Sequence, residues 1–406
     1  MSIGHPELVA AIASEIAASG PIPFIRFMEL SLYHPQFGYY MRSPELPQER
    51  IGWRGDFYTS SDVHPILGQA LAKQAEQMYR LLGQPHPFTI VEMGPGKGLL
   101  AKQILTTCAH RYGSFFQHLR YVLIDRSPAM RELQRRNLAP WLGRTALLTW
   151  VDDLANMAPQ GLTGLFFSNE LVDSFPVHRV QVTAKGIEEL WVDYRDERFV
   201  ECLMPLSSDS LVHRLRHVSA DWPEGYRTEI NLRASEWMKQ IALHLGRGFV
   251  ITIDYGHTAQ DLYRSDRKHG TFLCYFRQSI NEDPFLRVGE QDMTAHVDFS
   301  SLAATGEGHK LQTTGFTNQM SFLMGLSVEQ MIAELEPDSP QFKAAIHLLR
   351  PNGMGTTFKV LIQHKGIQQP ELDGLQYKPF FDSALTTHQP REEFRMTASP
   401  TFGNVF

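Results

Sequence analysis

The chain has 406 residues, 43% of them hydrophobic, with 38 Lys and Arg against 44 Asp and Glu for a formal charge of -6. One hydrophobic core stops growing at roughly 250 to 300 residues, so a catalytic core with an elaborated second lobe is expected; the acidic balance excludes a generic nucleic-acid binder, which needs a basic face for phosphate. Cys108, Cys202 and Cys274 are widely spaced, which fits reduced structural thiols, and no apolar run reaches the ~18 residues of a membrane span.

The chain opens with a helical pattern. Leu8, Ile12 and Ile16 share one helical face that Gly20-Pro21 ends, and MSIGHPELVAAIASEIAASG has neither a basic n-region nor an Arg-rich bias, so the expected location is cytoplasmic with no membrane attachment. Residues 1–85 are expected to form a helical N-terminal cap and lid. In GDFYTS, from Gly55 to Ser60, Asp56 and Thr59 offer polar contacts to a cofactor beneath Phe57 and Tyr58; the alternative is a loop fixed by packing alone.

From Val91 to Leu100 the chain reads VEMGPGKGLL: an apolar run ends in Glu92, a G-x-G-x-G turn follows, and a helical pattern starts at Leu99. Gly94, Gly96 and Gly98 lack Cβ atoms, so the backbone can turn sharply and a ligand can lie against bare peptide. A P-loop fails on spacing, because Lys97 is followed by Gly98. A dinucleotide fingerprint fits poorly, because the third glycine arrives one residue early and an acid precedes the turn. That acid repels pyrophosphate and attracts a cation, and S-adenosyl-L-methionine carries both an α-ammonium and a sulfonium.

Three further apolar runs end in polar groups, as at the carboxyl edge of a doubly wound α/β sheet where ligands bind. Tyr121 to Ile124 ends in Asp125, placed for both ribose hydroxyls or as a cap for the helix after Ser127-Pro128. Ala146 to Val151 ends in Asp152-Asp153-Leu154, where a carboxylate can accept from the adenine amine with Leu154 against the ring, or where a loop acid is merely solvated. Leu165-Phe166-Phe167 runs into Ser168-Asn169-Glu170. Glu92, the three glycines, Asp125, Ser127, Asp153, Leu154 and Asn169 join Asp56 and Thr59 as the candidate cofactor set.

Alternating runs such as Val180-Gln181-Val182 and Leu190-Trp191-Val192 predict an inserted β-meander over about 180–245. Phe249 to Ile253 predicts strand five, and the turn-rich stretch 257–302 is too long for an idle connection and is expected to cover a substrate. Residues 311–316 and 356–364 predict the last two core strands, and 366–406, with little periodicity, a C-terminal tail that is either an arm or partly disordered.

Taken together, PIPFIRFMELSLYHPQFGYY, GDFYTS, VEMGPGKGLL, SNELVDSFPVH, ITIDYG, DMTAHVDF and GTTFKVL occur in one order along nearly the whole chain. This set resembles the MidA-type methyltransferases, whose mitochondrial members act as assembly factors for respiratory complex I. The resemblance implies a class I, Rossmann-like fold, S-adenosyl-L-methionine as cofactor and, for the best-understood branch, methylation of an arginine in a complex I subunit. Members often carry two aromatics after the N-E pair, where this sequence has Leu171-Val172.

An arginine acceptor would demand carboxylates, since the guanidinium keeps its charge up to a pKa above ~12 and is a poor nucleophile. A pair of acids can grip the planar fork by bidentate hydrogen bonds. Glu170 and Asp173 in NELVDS share a face if a helical turn begins there, although Asp173 also reads as helix-start stabilisation. His296 and Asp298, two apart on an extended segment, would form an orienting pair, against the alternative of a buried, satisfied histidine. Glu229 is a further candidate, and no histidine spacing suggests a metal site. The expected partner is a protein or peptide arginine held by Glu170 and Asp173. The alternatives are a small molecule or peptide methylated at oxygen or nitrogen with His296 as base, and a non-catalytic assembly factor that binds the cofactor.

Overall fold

Seven strands carry the centre of the molecule: β1 (Phe88–Met93), β2 (Leu119–Ile124), β3 (Leu148–Val151), β4 (Leu162–Asn169), β5 (Leu245–His257), β6 (Gln312–Asn318) and β7 (Phe358–Lys365). The computed structural model describes residues 4–42, 56, 64–144, 147–157, 161–218, 221–351, 353–379, 381 and 383–385. The strands run in the order β6-β7-β5-β4-β1-β2-β3, and the five from β5 to β3 are mutually parallel. Strand β7 is antiparallel to both its neighbours.

Successive residues of β1 leave opposite faces of this sheet. Ile90 joins the core containing helices Ile66–Leu81 and Leu99–Arg111, whereas Val91 joins the core beneath helices Leu232–His244 and Phe299–Gly308. Burial on both faces explains why these strands read as continuous apolar runs rather than alternating ones. The parallel strands all end at one edge, so Glu92, Asp125, Asp153 and Asn169 arrive together.

A second sheet lies outside the core. Ile22–Pro23, Gly186–Arg195, His178–Thr183 and Arg227–Ile230 follow one another across it, with Arg198–Met204 also pairing to Gly186–Arg195. It packs on helices Pro6–Ser19 and Phe24–Tyr33, where Leu8, Ile12 and Ile16 are buried. The stretch expected to cover a site contains a small sheet of Leu273–Phe276, Ser279–Asn281 and Asp292–Thr294.

Two expected boundaries move. Helix Ile66–Leu81 belongs to the core rather than to a cap over 1–85, because its buried face, including Ala70, Leu71 and Met78, lies with Ile90 and Phe249. The insertion ends at Ile230 rather than near 245, because Ala234, Met238 and Ile241 of the next helix lie on the sheet. Part of the carboxyl-terminal arm is docked, with Gly374 N–H donating to Gln74 Oε1 at 3.1 Å. Among the described residues no helix is long and apolar enough to cross a membrane.

Candidate active site

The glycine turn does three different things. Gly94, Gly96 and Gly98 all have positive φ, at +67°, +51° and +75°. A Cβ on Gly96 would meet nothing within 4 Å and would project into open space, whereas one on Gly94 would lie 2.7 Å from Leu171 Cδ1. Gly98 begins helix Leu99–Arg111, where a Cβ would meet Gln134 Cγ at 3.2 Å, outside the cavity that the first two glycines line. That cavity has a volume of about 420 Å³ and runs along the carboxyl edge from Asp152, Asp153 and Leu154, past Asp125 and Glu92, to Asn169 and Glu170.

The acids at this edge are desolvated. Glu92 is buried, and burial pushes its pKa up to about 8 although the Tyr121 hydroxyl donates to it at 2.7 Å. Burial likewise pushes Asp125 up to about 6, against hydrogen bonds from Ser127 N–H at 2.9 Å and Gln134 Nε2 at 2.7 Å. The cap of helix Pro128–Asn137 is the Ser127 hydroxyl, which accepts from Met130 N–H. The capping role weighed for Asp125 therefore falls to Ser127, which also lines the cavity. Asp153 caps the short turn Leu154–Asn156 and pairs with Arg126 at 2.5 Å, and Leu154 is buried in the cavity wall.

Beyond β4 only one of the two expected acids lines the cavity. Glu170 takes left-handed backbone at φ +53° and lines the cavity, while Val172–Ser174 forms a single tight turn. The i, i+3 alignment of an α-helix does not apply there. Asp173 is buried away from the cavity wall, accepting the Tyr255 hydroxyl, and burial pushes it up to about 6.

His296 does not pair with Asp298. Its Nδ1 sits 3.1 Å from Nε2 of His257, and Tyr255 packs on its ring, outside the cavity lining. Burial lowers His296 to about 4 and His257 to about 3, so both rings are neutral. Asp298 instead caps helix Phe299–Gly308 and pairs with Arg214, because the extended segment ends at that residue. Glu229 accepts from Thr271 N–H at 2.8 Å, also off the cavity wall. Both Asp56 oxygens are engaged away from the cavity, by the Tyr39 hydroxyl at 2.7 Å and by Arg277 N–H at 2.8 Å. Thr59, Phe57 and Tyr58 lie outside the described residues. No group of three or more potential metal ligands occurs among the described residues.

Residues 70–317 match the profile of a family of S-adenosyl-L-methionine-dependent methyltransferases. The chain belongs to this family. A COG1565 superfamily member from Burkholderia thailandensis, solved bound to S-adenosyl-homocysteine, is 32% identical, with a TM-score of 0.82 over 91% of this chain and 95% of that one. The mitochondrial protein arginine methyltransferase NDUFAF7 homolog of Drosophila melanogaster is 28% identical over 404 residues, 91% of this chain and 87% of that protein. Human NDUFAF7, of the same description, is 27% identical over 401 residues, 90% of this chain and 86% of its own. The protein is thus a methyltransferase that uses S-adenosyl-L-methionine, and its open glycine turn beside buried acids suits that cation.

Several residues that shape this candidate site were not among the expected site residues. Gln134 Nε2 donates to Gly96 O at 2.8 Å as well as to Asp125, and its own oxygen accepts from Trp150 Nε1 at 3.1 Å, so one buried amide ties turn, acid and β3 together. Asp254 Oδ2 accepts from the N–H groups of Leu171, Val172 and Asp173 at 3.2, 2.9 and 3.3 Å, fixing the segment after Glu170. Tyr33 and Tyr40 stack with centroids 5.5 Å apart in the cavity wall, their hydroxyls tied to Ser174 and Asp292. Asp254, at the carboxyl edge in ITIDYG, and Tyr33 and Tyr40, in PIPFIRFMELSLYHPQFGYY, had a signal in sequence, whereas Gln134 had none.

Proposed function

We propose that this methyltransferase methylates a guanidinium nitrogen of arginine in a protein substrate. Glu170, in left-handed backbone at the end of β4 and in the cavity wall, carries this reading. The sheet order sets the direction of transfer: Asp153 and Leu154 beyond β3 suit adenine, Asp125 beyond β2 suits ribose, and Glu92 with Gly94 and Gly96 suits the α-ammonium and sulfonium. The next position in that series is the end of β4. When bound, the cofactor supplies an electrophilic methyl on sulfur.

The residues of β4 then have one task, to hold the acceptor in line and dry. A carboxylate there favours a cationic acceptor, and Glu170 can accept a guanidinium N–H and take up the proton that the product releases. The stacked Tyr33 and Tyr40 rings exclude water and offer π faces to a cation. The names of the curated relatives support the same substrate class.

The test is to incubate the full-length protein with isotopically labelled S-adenosyl-L-methionine and host lysate, followed by mass spectrometry of labelled species. A methylated arginine in a protein is expected, lost with Glu170→Gln while cofactor affinity is kept. Label confined to small molecules would overturn the reading.

A further inference from the structure

We infer that Asn169 is a specificity-determining residue for the methyl acceptor: its amide oxygen accepts an N–H of the group that receives the methyl. This rests on the proposed transfer to a nitrogen acceptor and goes beyond it, since it names the atom that tests for a donor.

The orientation of the amide is fixed by its neighbour. Asn169 Nδ2 donates to Glu170 Oε1 at 3.0 Å; turning the amide over would set oxygen against carboxylate oxygen. Oδ1 is then the remaining polar atom, and it is buried without a hydrogen-bond partner although the residue lines the cavity. A buried acceptor left unpaired is costly, and only a donor relieves it.

The position of that donor follows from the backbone. Asn169 pairs with Ile253 on the β5 side, but on the β1 side the last register pair is Ser168 with Met93, after which β1 turns away at Gly94. Asn169 therefore stands one residue beyond its β1 neighbour, at the acceptor end of the cavity. It is also held there. Glu170 N–H donates to Ile253 O at 2.9 Å, and Asp254 grips the three N–H groups that follow. An amide oxygen so fixed beside a carboxylate forms an acceptor-only surface, which suits a group with several N–H donors and rejects one with none.

The experiment uses full-length protein saturated with S-adenosyl-homocysteine, titrated by NMR with the peptides Gly-Gly-Arg-Gly-Gly and Gly-Gly-Lys-Gly-Gly. Asn169→Ala should weaken the arginine peptide roughly tenfold while S-adenosyl-homocysteine affinity stays within about twofold. Unchanged peptide affinity in Asn169→Ala overturns the inference and leaves the arginine reading standing. So does a loss confined to S-adenosyl-homocysteine, which would assign Asn169 to the cofactor. Asn169-dependent binding of the lysine peptide alone supports the inference and overturns the arginine reading. Binding of neither peptide by wild type overturns both.

Discussion

Tyr121 donates its hydroxyl to Glu92 at 2.7 Å, one neutral donor set against full burial of a carboxyl beside the glycine turn. Burial raises the acid to about 8, so it is largely protonated at neutral pH. With the cofactor placed as proposed, its cation favours the charged form of Glu92, and binding expels a proton.

Calorimetry in two buffers of different ionisation enthalpy at pH 7 should therefore show release of about one proton per cofactor bound, with affinity rising from pH 6 to 7.5. Tyr121→Phe removes the bond that favours the carboxylate and should weaken binding at pH 7. The sign for stability is opposite. A carboxyl raised in the fold contributes stability below its unfolded value and loses it as pH climbs toward about 8, so Glu92→Gln should melt higher than wild type at pH 8 without cofactor.

Gly96→Val should abolish cofactor binding by calorimetry, because the branched side chain enters the open hollow. Its cost to the fold is limited to left-handed strain of roughly 1 to 2 kcal/mol, visible as a modest fall in Tm.

Gln134→Leu keeps the volume but removes the donor shared by Gly96 O and Asp125. Cofactor Kd should rise about tenfold, on the scale of one or two lost hydrogen bonds, with the melting transition still cooperative. Asp125→Ala should weaken binding in the same direction.

Asp254→Asn alters the acceptor that holds Leu171, Val172 and Asp173. As a positioning residue it should act on turnover: kcat falls roughly tenfold while cofactor Kd is unchanged, the signature of disturbed alignment rather than lost binding.

His257 and His296 stay neutral to about pH 3 and 4, while unfolded histidines take up protons below about 6.5. The unfolded state then binds more protons, so stability falls as pH drops from 6.5 toward 4. Thermal melts of a His257→Gln, His296→Gln double variant should show a shallower acid slope.

What the sequence made legible was local. A glycine turn after an acid-ended strand, and acids repeated at later strand ends, can be read from residues adjacent in the chain, and the resulting edge is where the cavity lies. The misreadings came from assuming regular geometry across a junction. Glu170 enters left-handed backbone and Val172–Ser174 follows as a single tight turn that leaves Asp173 off the cavity wall, and Asp298 is claimed by the helix it begins. Gln134 and Asp254 escaped because their meaning lies in partners far along the chain. A buried amide on a helix face looks, in sequence, like any solvated glutamine.

Ile22 and Pro23 pair with Val192 and Trp191, and Leu8, Ile12, Phe24 and Phe27 share a core with Val192, Phe199, Val288 and Met293. During translation the first half of this lobe leaves the ribosome well before the second half exists. An oily pair of helices must wait, uncovered, through the making of the entire cofactor edge. Guarding that surface from neighbouring nascent chains is a burden of manufacture that the finished enzyme no longer shows.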